Sequence, residues 1–157
     1  MTSRTVIADV TNARAGQAAR LLHQFFAEEG FDTPFGRIIE SLAAMRAEPT
    51  CWCALALREG AAAGIVTVTT ALYIEWGRIG EIGDLYVVPE ARGQGVGRQL
   101  IEAAIDWCRS RGCSAVSIVV TPEGERRHGL TRLYEHFGFE SSGRTIVTRR
   151  LDLRSGG

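Results

Sequence analysis

A hydrophobic strand that runs into a glycine-rich turn and then a helix constrains this chain more than any other feature. The stretch reads Asp84-Leu85-Tyr86-Val87-Val88-Pro89-Glu90-Ala91-Arg92-Gly93-Gln94-Gly95-Val96-Gly97-Arg98. Its three glycines let successive backbone N–H groups converge without obstruction by a Cβ atom. The helix that follows adds unpaired N–H donors and the positive end of its dipole. The pattern predicts a phosphate-binding turn, with Arg92 and Arg98 supplying positive charge on either side.

Two familiar phosphate-binding motifs do not fit this turn. A P-loop ends in Gly-Lys followed by Ser or Thr, whereas here Gly97 is followed by Arg98 and Gln99. The dinucleotide fingerprint needs a small residue three positions after its second glycine, where this chain has Arg98 or, in the shifted frame, Leu100. That fold also needs a long doubly wound sheet, and only about sixty residues follow the turn.

The pattern Arg-x-x-Gly-x-Gly does fit, as Arg92-Gly93-Gln94-Gly95-Val96-Gly97 after a strand that ends at Pro89. This segment closely resembles the acetyl-coenzyme A signature of the GCN5-related N-acetyltransferase family. The likeness extends through Arg132-Leu133-Tyr134-Glu135-His136-Phe137-Gly138-Phe139, which is similar to the family's later helix-to-strand element. The order of elements also agrees from about Thr5 to Leu153.

The order of elements predicts a single α/β domain over residues 1–157, with a mixed, mostly antiparallel central sheet flanked by helices. The resemblance implies that the strand before the turn and the strand at 115–120 lie parallel and splay apart to admit a thioester. Gly83 lies within the first of these strands, where a glycine either marks a bulge that assists the divergence or merely packs closely.

The periodicity of apolar residues places the other elements. It predicts three helices whose apolar faces span residues 18–26, 35–45 and 96–108, and a further helix that runs to about His136. The Thr33-Pro34 pair has the order of an N-cap followed by proline at the first helical position. The predicted strands are 5–9, 51–58, 62–71, 81–88, 115–120 and a terminal hairpin of 139–142 with 146–153.

The resemblance implies acetyl-coenzyme A as the cofactor. The turn then holds the pyrophosphate, and the backbone of the preceding strand binds the pantetheine arm and the thioester oxygen. Many family members carry an asparagine seven residues before the tyrosine, where this chain has Arg127, which either contacts coenzyme A phosphate or belongs to a solvated basic run. The predicted cofactor-binding residues are Leu85, Tyr86, Val87, Arg92, Gly93, Gln94, Gly95, Val96, Gly97, Arg98 and Arg127.

The implied reaction is direct attack by a primary amine on the acetyl thioester. Tyr134 stands where the family's tyrosine acts as the general acid, because a phenol can donate a proton to the leaving thiolate. Its alternative role is that of an aromatic anchor for its helix. Glu81 is the preferred candidate base and Asp84 a second, although their spacing places them on opposite faces of a regular strand unless a bulge at Gly83 realigns them. Water is the remaining candidate.

Acids and aromatics also mark the expected acceptor side of the cleft. They are Glu28, Glu29 and Asp32 after the first helix, with Glu75 and Trp76 before the strand at 81–88. Such a lining favours a cationic acceptor such as an aminoglycoside or a polyamine, although ordinary solvated charges give the same pattern. Acetylation of a protein lysine or N-terminus, or a non-catalytic acyl-coenzyme A-binding regulatory module, are the alternatives.

Composition narrows the partners. The 157 residues hold 18 Lys and Arg against 18 Asp and Glu, so no general electrostatic attraction to nucleic acid or to an anionic membrane is expected. Four cysteines without metal-ligand spacing predict reduced thiols, no metal site and a cytoplasmic location. The resemblance is compatible with a homodimer.

Overall fold

The computed structural model describes residues 3 to 151, and these form five strands and five α-helices. The strands are β1 (Thr5–Asp9), β2 (Cys51–Arg58), β3 (Ala61–Tyr73), β4 (Gly77–Val87) and β5 (Ala115–Ile118). The helices are α1 (Ala15–Glu28), α2 (Phe35–Ala47), α3 (Val96–Ser110), α4 (Pro122–His128) and α5 (Leu130–Glu135). None of these helices is long and apolar enough to cross a membrane.

The strands form one mixed sheet in the order β1-β2-β3-β4-β5. Neighbours from β1 to β4 are antiparallel, whereas β4 and β5 are parallel. The parallel pair requires a crossover connection, which α3 supplies. The predicted fold class, a mostly antiparallel mixed sheet flanked by helices, is confirmed.

The sheet has a helical layer on each face. On one face α1 packs against β4, where the rings of Phe25 and Tyr86 stack with centroids 5.2 Å apart. On the other face α3 lies so close to the sheet that a Cβ atom on Gly64 would come within 2.9 Å of Leu100 Cδ1. A glycine at this position therefore sets the approach of α3, the helix that begins at the glycine turn.

A bulge in β4 falls at Gly83. The register passes from Val68 opposite Ile82 to Thr67 opposite Asp84, which leaves Gly83 as the extra residue. Beside it, β5 pairs with β4 only from Ile79 to Ile82, although β4 continues to Val87. A gap thus opens between the two parallel strands immediately after the bulge, as the resemblance implied.

The terminal hairpin predicted at 139–142 and 146–153 is wrong for the residues that the structure describes, since no strand follows β5 before residue 151. The apolar side chains of Ile146, Val147 and Leu151 are 75%, 91% and 80% exposed. An alternating apolar pattern makes a strand only where a partner strand and a core are available, and this segment has neither. Asp152 and Leu153 lie outside the described residues.

Two helix boundaries also differ from the predictions. The expected single helix ending near His136 is interrupted at Gly129, whose φ of 57° separates α4 from α5. Helix α2 begins at Phe35 with Pro34 as its N-cap, and Thr33 makes no capping hydrogen bond. A side-chain cap is found at a different helix, α4, where the Thr121 hydroxyl accepts a hydrogen bond from the Gly124 N–H at 3.0 Å.

Candidate active site

The glycine turn is a set of open backbone donors. Gly93 and Gly95 adopt φ values of 73° and 84°, and α3 begins directly after Gly95. Within the described chain, none of the six N–H groups from Gly93 to Arg98 donates a hydrogen bond to a protein acceptor. A Cβ atom on either of the first two glycines would meet nothing within 4 Å, so the space in front of these donors is open. Such a cradle fits a pyrophosphate group.

The side chains of Arg92 and Gln94 stabilise the turn through contacts within the protein, which we call the brace. Arg92 donates from Nε to the Val87 carbonyl at 3.0 Å, and its guanidinium lies over the ring of Tyr86. Gln94 donates from Nε2 to the Glu90 carbonyl at 3.1 Å and accepts a hydrogen bond from Arg58. Two of the predicted cofactor-binding residues, Arg92 and Gln94, therefore use their side chains internally, and of the two only Gln94 offers its backbone N–H to the open space, because the Arg92 N–H donates to the Pro89 carbonyl at 3.3 Å.

Glu28 connects the end of α1 to this brace. Its carboxylate accepts hydrogen bonds from the Tyr86 hydroxyl at 2.7 Å and from Arg92 at 3.0 Å. Burial raises the pKa of Glu28, but the hydrogen bonds from Tyr86 and Arg92 outweigh it, so its pKa lies below the ordinary value. Burial and the Glu28 carboxylate in turn raise the pKa of Tyr86. Glu28, expected on the acceptor side, thus already has two internal partners.

The exposed edge of β4 can bind an extended chain. The N–H of Val88 donates to Ala63 and that of Asp84 to the Thr67 hydroxyl, so both point toward β3. Because backbone groups alternate along a strand, those of Leu85 and Val87 point toward the gap beside β5. The Val87 carbonyl accepts from Arg92, whereas the Val87 N–H and both backbone groups of Leu85 have no protein partner among residues 3 to 151. Tyr86, the third residue predicted here, pairs with Ile65 of β3.

Tyr134 lies in α5 on the same side of the sheet as the turn. Phe137, just beyond α5, packs its ring under the Arg98 guanidinium at 5.4 Å, which places the end of α5 beside the first turn of α3. The Tyr134 side chain is buried, packs edge-on against Phe139 and has no hydroxyl partner among the described residues. Burial, followed by the charge of Glu29, raises the pKa of Tyr134 to about 12. The phenol is therefore protonated throughout the neutral range.

The bulge at Gly83 brings the two candidate bases to the same face of β4. Glu81 lies opposite Thr69 and Asp84 opposite Thr67, and these two partners are two positions apart on β3, hence on the same face. The Thr67 hydroxyl donates to Asp84 Oδ2 at 2.5 Å. Burial raises the pKa of Asp84, and this hydrogen bond opposes the rise only in part. Glu81 is half-buried and makes no hydrogen bond through its side chain within residues 3 to 151.

Arg127 reaches inward. It donates to the Glu28 carbonyl at 2.9 Å and forms an ion pair with Glu123 at the same distance. The hydrogen bond to Glu28 holds α4 against the C-terminal end of α1, and the ion pair with Glu123 lies within α4, so the known partners of Arg127 are structural. A contact with coenzyme A phosphate stays a prediction.

The other expected acceptor residues fall into two groups. Glu29 lies near Thr121 and Tyr134, and Asp32 is exposed in the loop after α1. Glu75 instead pairs with Arg144 at 3.3 Å, and the same guanidinium lies 4.0 Å above the Trp76 ring. Glu75 and Trp76 precede the first residue of β4, which places them on the order of 30 Å along the strand from the glycine turn. The structure does not bring this pair to the site.

Known proteins with similar sequences include acetyltransferases. The model of the acetyltransferase (GNAT) family matches residues 17–139. Glucosamine 6-phosphate N-acetyltransferase 1 of Oryza sativa subsp. japonica is 36% identical over 114 residues, which are 71% of this chain and 63% of that protein. Aminoglycoside N(6')-acetyltransferase type 1 of Klebsiella aerogenes is 38% identical over 80 residues, 49% of this chain and 53% of the relative.

The fold has solved counterparts. The structure of aminoglycoside N-acetyltransferase AAC(6')-Iy in complex with CoA superposes with a TM-score of 0.83 at 19% identity, covering 96% of this chain and 97% of that one. At this identity the likeness shows the fold alone. The chain spans between half and two thirds of the length of the two sequence relatives above. From the match of the family model over most of its length, the chain belongs to the GNAT acetyltransferase family.

Proposed function

We propose that the protein is an acetyl-coenzyme A-dependent N-acetyltransferase that acetylates a small primary amine. The observation that carries the proposal is the row of six free N–H donors from Gly93 to Arg98 at the end of the β4/β5 gap. The row provides the diphosphate site, and the gap leads from it along the open backbone groups of β4. Tyr134 completes the site from α5.

When bound, acetyl-coenzyme A supplies the reactive acyl thioester. The amides from Gly93 to Arg98 would hold its pyrophosphate, and the backbone groups of Leu85 and Val87 would hold the pantetheine arm in place of a β5 ladder. A free N–H group on this edge is also the donor that polarises the thioester carbonyl. Tyr134 holds the proton that the departing sulfur requires.

The proton transfer from Tyr134 to sulfur depends on the match between two pKa values. A phenol with a pKa of about 12 would be a poor proton donor to a solvated thiolate, because the corresponding thiol has a pKa of about 8.5. Burial also raises the pKa of thiols in this protein, since the pKa values of Cys53 and Cys108 both rise to about 12. Desolvation of a sulfur in the gap would raise its pKa in the same direction, which would narrow the difference in acidity between the phenol and the thiol.

The class of acceptor that we propose, a small molecule with a primary amine, is broader than aminoglycosides and polyamines. The printed names of the relatives, which include a glucosamine 6-phosphate and an aminoglycoside acetyltransferase, support a small molecule that carries an amine. Of the acids expected to attract a polycation, Glu28 and Glu75 have internal partners, which leaves Glu29 and Asp32. A homodimer and a cytoplasmic location stay predictions.

An acceptor screen tests the proposal. The purified chain is incubated with acetyl-coenzyme A and, separately, with monoamines, polyamines, aminoglycosides and lysine-containing peptides. We expect release of free thiol in step with the gain of one acetyl group in the amine product by mass spectrometry. Binding of coenzyme A without turnover of any amine would instead assign the chain to the non-catalytic binding modules.

A further inference from the structure

A cavity lies between the sheet and the helical layer of α1 and α2. Its volume is about 210 Å³, and its sheet side is formed by Thr67 and Asp84. Its helical walls are mainly apolar, with a few polar groups contributed by the α1–α2 loop and α2. The apolar wall residues are Leu22, Phe26, Ile38, Leu42 and Met45.

Asp84 lies in the wall of this cavity and directly precedes, in β4, the first residue whose backbone faces the β4/β5 gap. Its carboxylate lines the cavity, and the next residue, Leu85, directs its free backbone groups into the gap. The Thr67 hydroxyl fixes Oδ2, whereas Oδ1 has no hydrogen-bond partner among the described residues. The cavity therefore holds one carboxylate with one oxygen to offer, one residue away from the thioester path.

We propose that this cavity is the acceptor site and that it takes a primary monoamine on a small aliphatic or aromatic body, with the amine nitrogen at Asp84. The inference rests on the proposed acetyl transfer and narrows its substrate class. The walls bury the body of the molecule, and the carboxylate pairs with the nitrogen.

The size and polarity of the cavity favour small primary monoamines over amino sugars and polyamines. Pockets that enclose drug-sized ligands measure roughly 300 to 1,000 Å³, so 210 Å³ accommodates a smaller molecule. A polyhydroxylated ring inside apolar walls would lose hydrogen bonds to water without gaining new ones. Arg37 lines the cavity from α2, and within residues 3 to 151 it forms no ion pair, so it opposes a second positive charge on the acceptor.

The proton balance of the transfer is complete with groups already in the site. The ammonium gives one proton to Asp84, which passes it to water, and the nitrogen lone pair then attacks the thioester carbon. As the C–N bond forms and the C–S bond breaks, the sulfur takes the proton of Tyr134. The second proton of the nitrogen restores the phenol, and the products are an amide and a free thiol. Burial supports this role, because it raises the pKa of Asp84 toward that of the amine.

The test compares acceptors and two pairs of variants in the full chain. Phenethylamine and butylamine should show a kcat/KM at least about tenfold higher than spermidine or kanamycin. Asp84→Asn should reduce turnover of phenethylamine by about a hundredfold. Asp106→Asn, which changes an exposed acid on α3 outside the cavity, should change phenethylamine turnover far less.

A pair of tryptophan substitutions, one inside the cavity and one outside it, tests the role of the cavity independently of the rest of the site. Ser41 lines the cavity and its neighbour Glu40 does not, so Ser41→Trp should abolish phenethylamine turnover while Glu40→Trp retains it. Both variants should bind coenzyme A with wild-type affinity by calorimetry, which shows that they fold. Equal effects of the two tryptophans, or a preference for spermidine or kanamycin, would overturn the proposal.

Failure of the acetyl-transfer proposal gives a different result. In that case no amine is turned over, and phenethylamine binding to the coenzyme A-loaded protein is measured by calorimetry instead. Binding that Asp84→Asn and Ser41→Trp both abolish would keep the cavity as an amine site. Absence of binding to the wild-type protein would remove it.

Discussion

A Gly95→Val protein should bind coenzyme A at least about a hundredfold more weakly than the wild-type protein. Gly95 adopts a φ of 84°, a left-handed conformation that costs a residue with a side chain roughly 1 to 2 kcal/mol. The valine methyl groups would also enter the open space in front of the donors, where we place the pyrophosphate. The backbone strain lowers the stability of the fold, whereas the loss of affinity comes from the donors: each charge-assisted hydrogen bond lost there costs roughly 1.5 to 3 kcal/mol of binding free energy, so the loss of two reaches about a hundredfold.

The matched control for this substitution lies at the other end of the same helix. Gly112 follows α3 with a φ of 76° and has equally open surroundings, but a helix of this length separates it from the turn by roughly 20 Å. Gly112→Val should lower the melting temperature as Gly95→Val does and leave the dissociation constant for coenzyme A unchanged. Isothermal titration calorimetry on both folded variants measures the difference. Wild-type affinity in Gly95→Val would place the diphosphate elsewhere.

Replacement of Tyr134 by phenylalanine should reduce kcat by about a hundredfold or more and change KM for acetyl-coenzyme A by less than about threefold. The hydroxyl acts only as the sulfur departs, so its loss raises the barrier without weakening cofactor binding. The aromatic ring remains, and with it the packing against Phe139. The substitution therefore isolates the proton from the structural role of the side chain.

Steady-state kinetics with the best amine of the acceptor screen measure this effect. Tyr73→Phe provides the control, because Tyr73 is an exposed tyrosine at the far end of β3 from the glycine turn. It should retain the wild-type kcat. If Tyr134→Phe also retained it, water rather than the phenol would protonate the sulfur, and Tyr134 would be an aromatic anchor for α5.

The parts of the site that were predictable from the sequence are those encoded locally. The glycines at 93, 95 and 97 and the apolar face of α3 lie within one short segment, so the turn and its helix follow from spacing alone. The parallel pair of strands follows from the crossover rule once α3 is placed. A bulge at Gly83 was one of two alternatives in the sequence, and the register of β3 against β4 decides it.

The parts that the sequence did not reveal depend on contacts between distant residues. The brace joins Glu28 to Tyr86 and Arg92 across 58 and 64 positions, and a carboxylate with such partners has the same local pattern as one that binds a cationic acceptor. Thr67, which fixes the Asp84 carboxylate, lies in β3 among other threonines and carries no local signal of its role. Only the register of the folded sheet identifies it.

The C-terminal segment shows the converse error. The sequence around Ile146 and Val147 has strand-forming residues, but strand propensity reflects packing against neighbouring strands and a core. β5, the nearest edge, is only four residues long, and the segment remains exposed in the described chain. Local propensity was therefore sufficient for all five strands of the sheet and insufficient for this segment, which pairs with no strand in the described chain.

The central claim is that the amides from Gly93 to Arg98 bind the diphosphate of coenzyme A. A titration of the ¹⁵N-labelled protein with coenzyme A, followed by amide NMR spectra, tests it most directly. We expect the largest shifts at these six amides, with further shifts at Leu85 and Val87 along the gap. Saturable shifts confined to other parts of the chain, with the amides of the turn unmoved, would contradict the account.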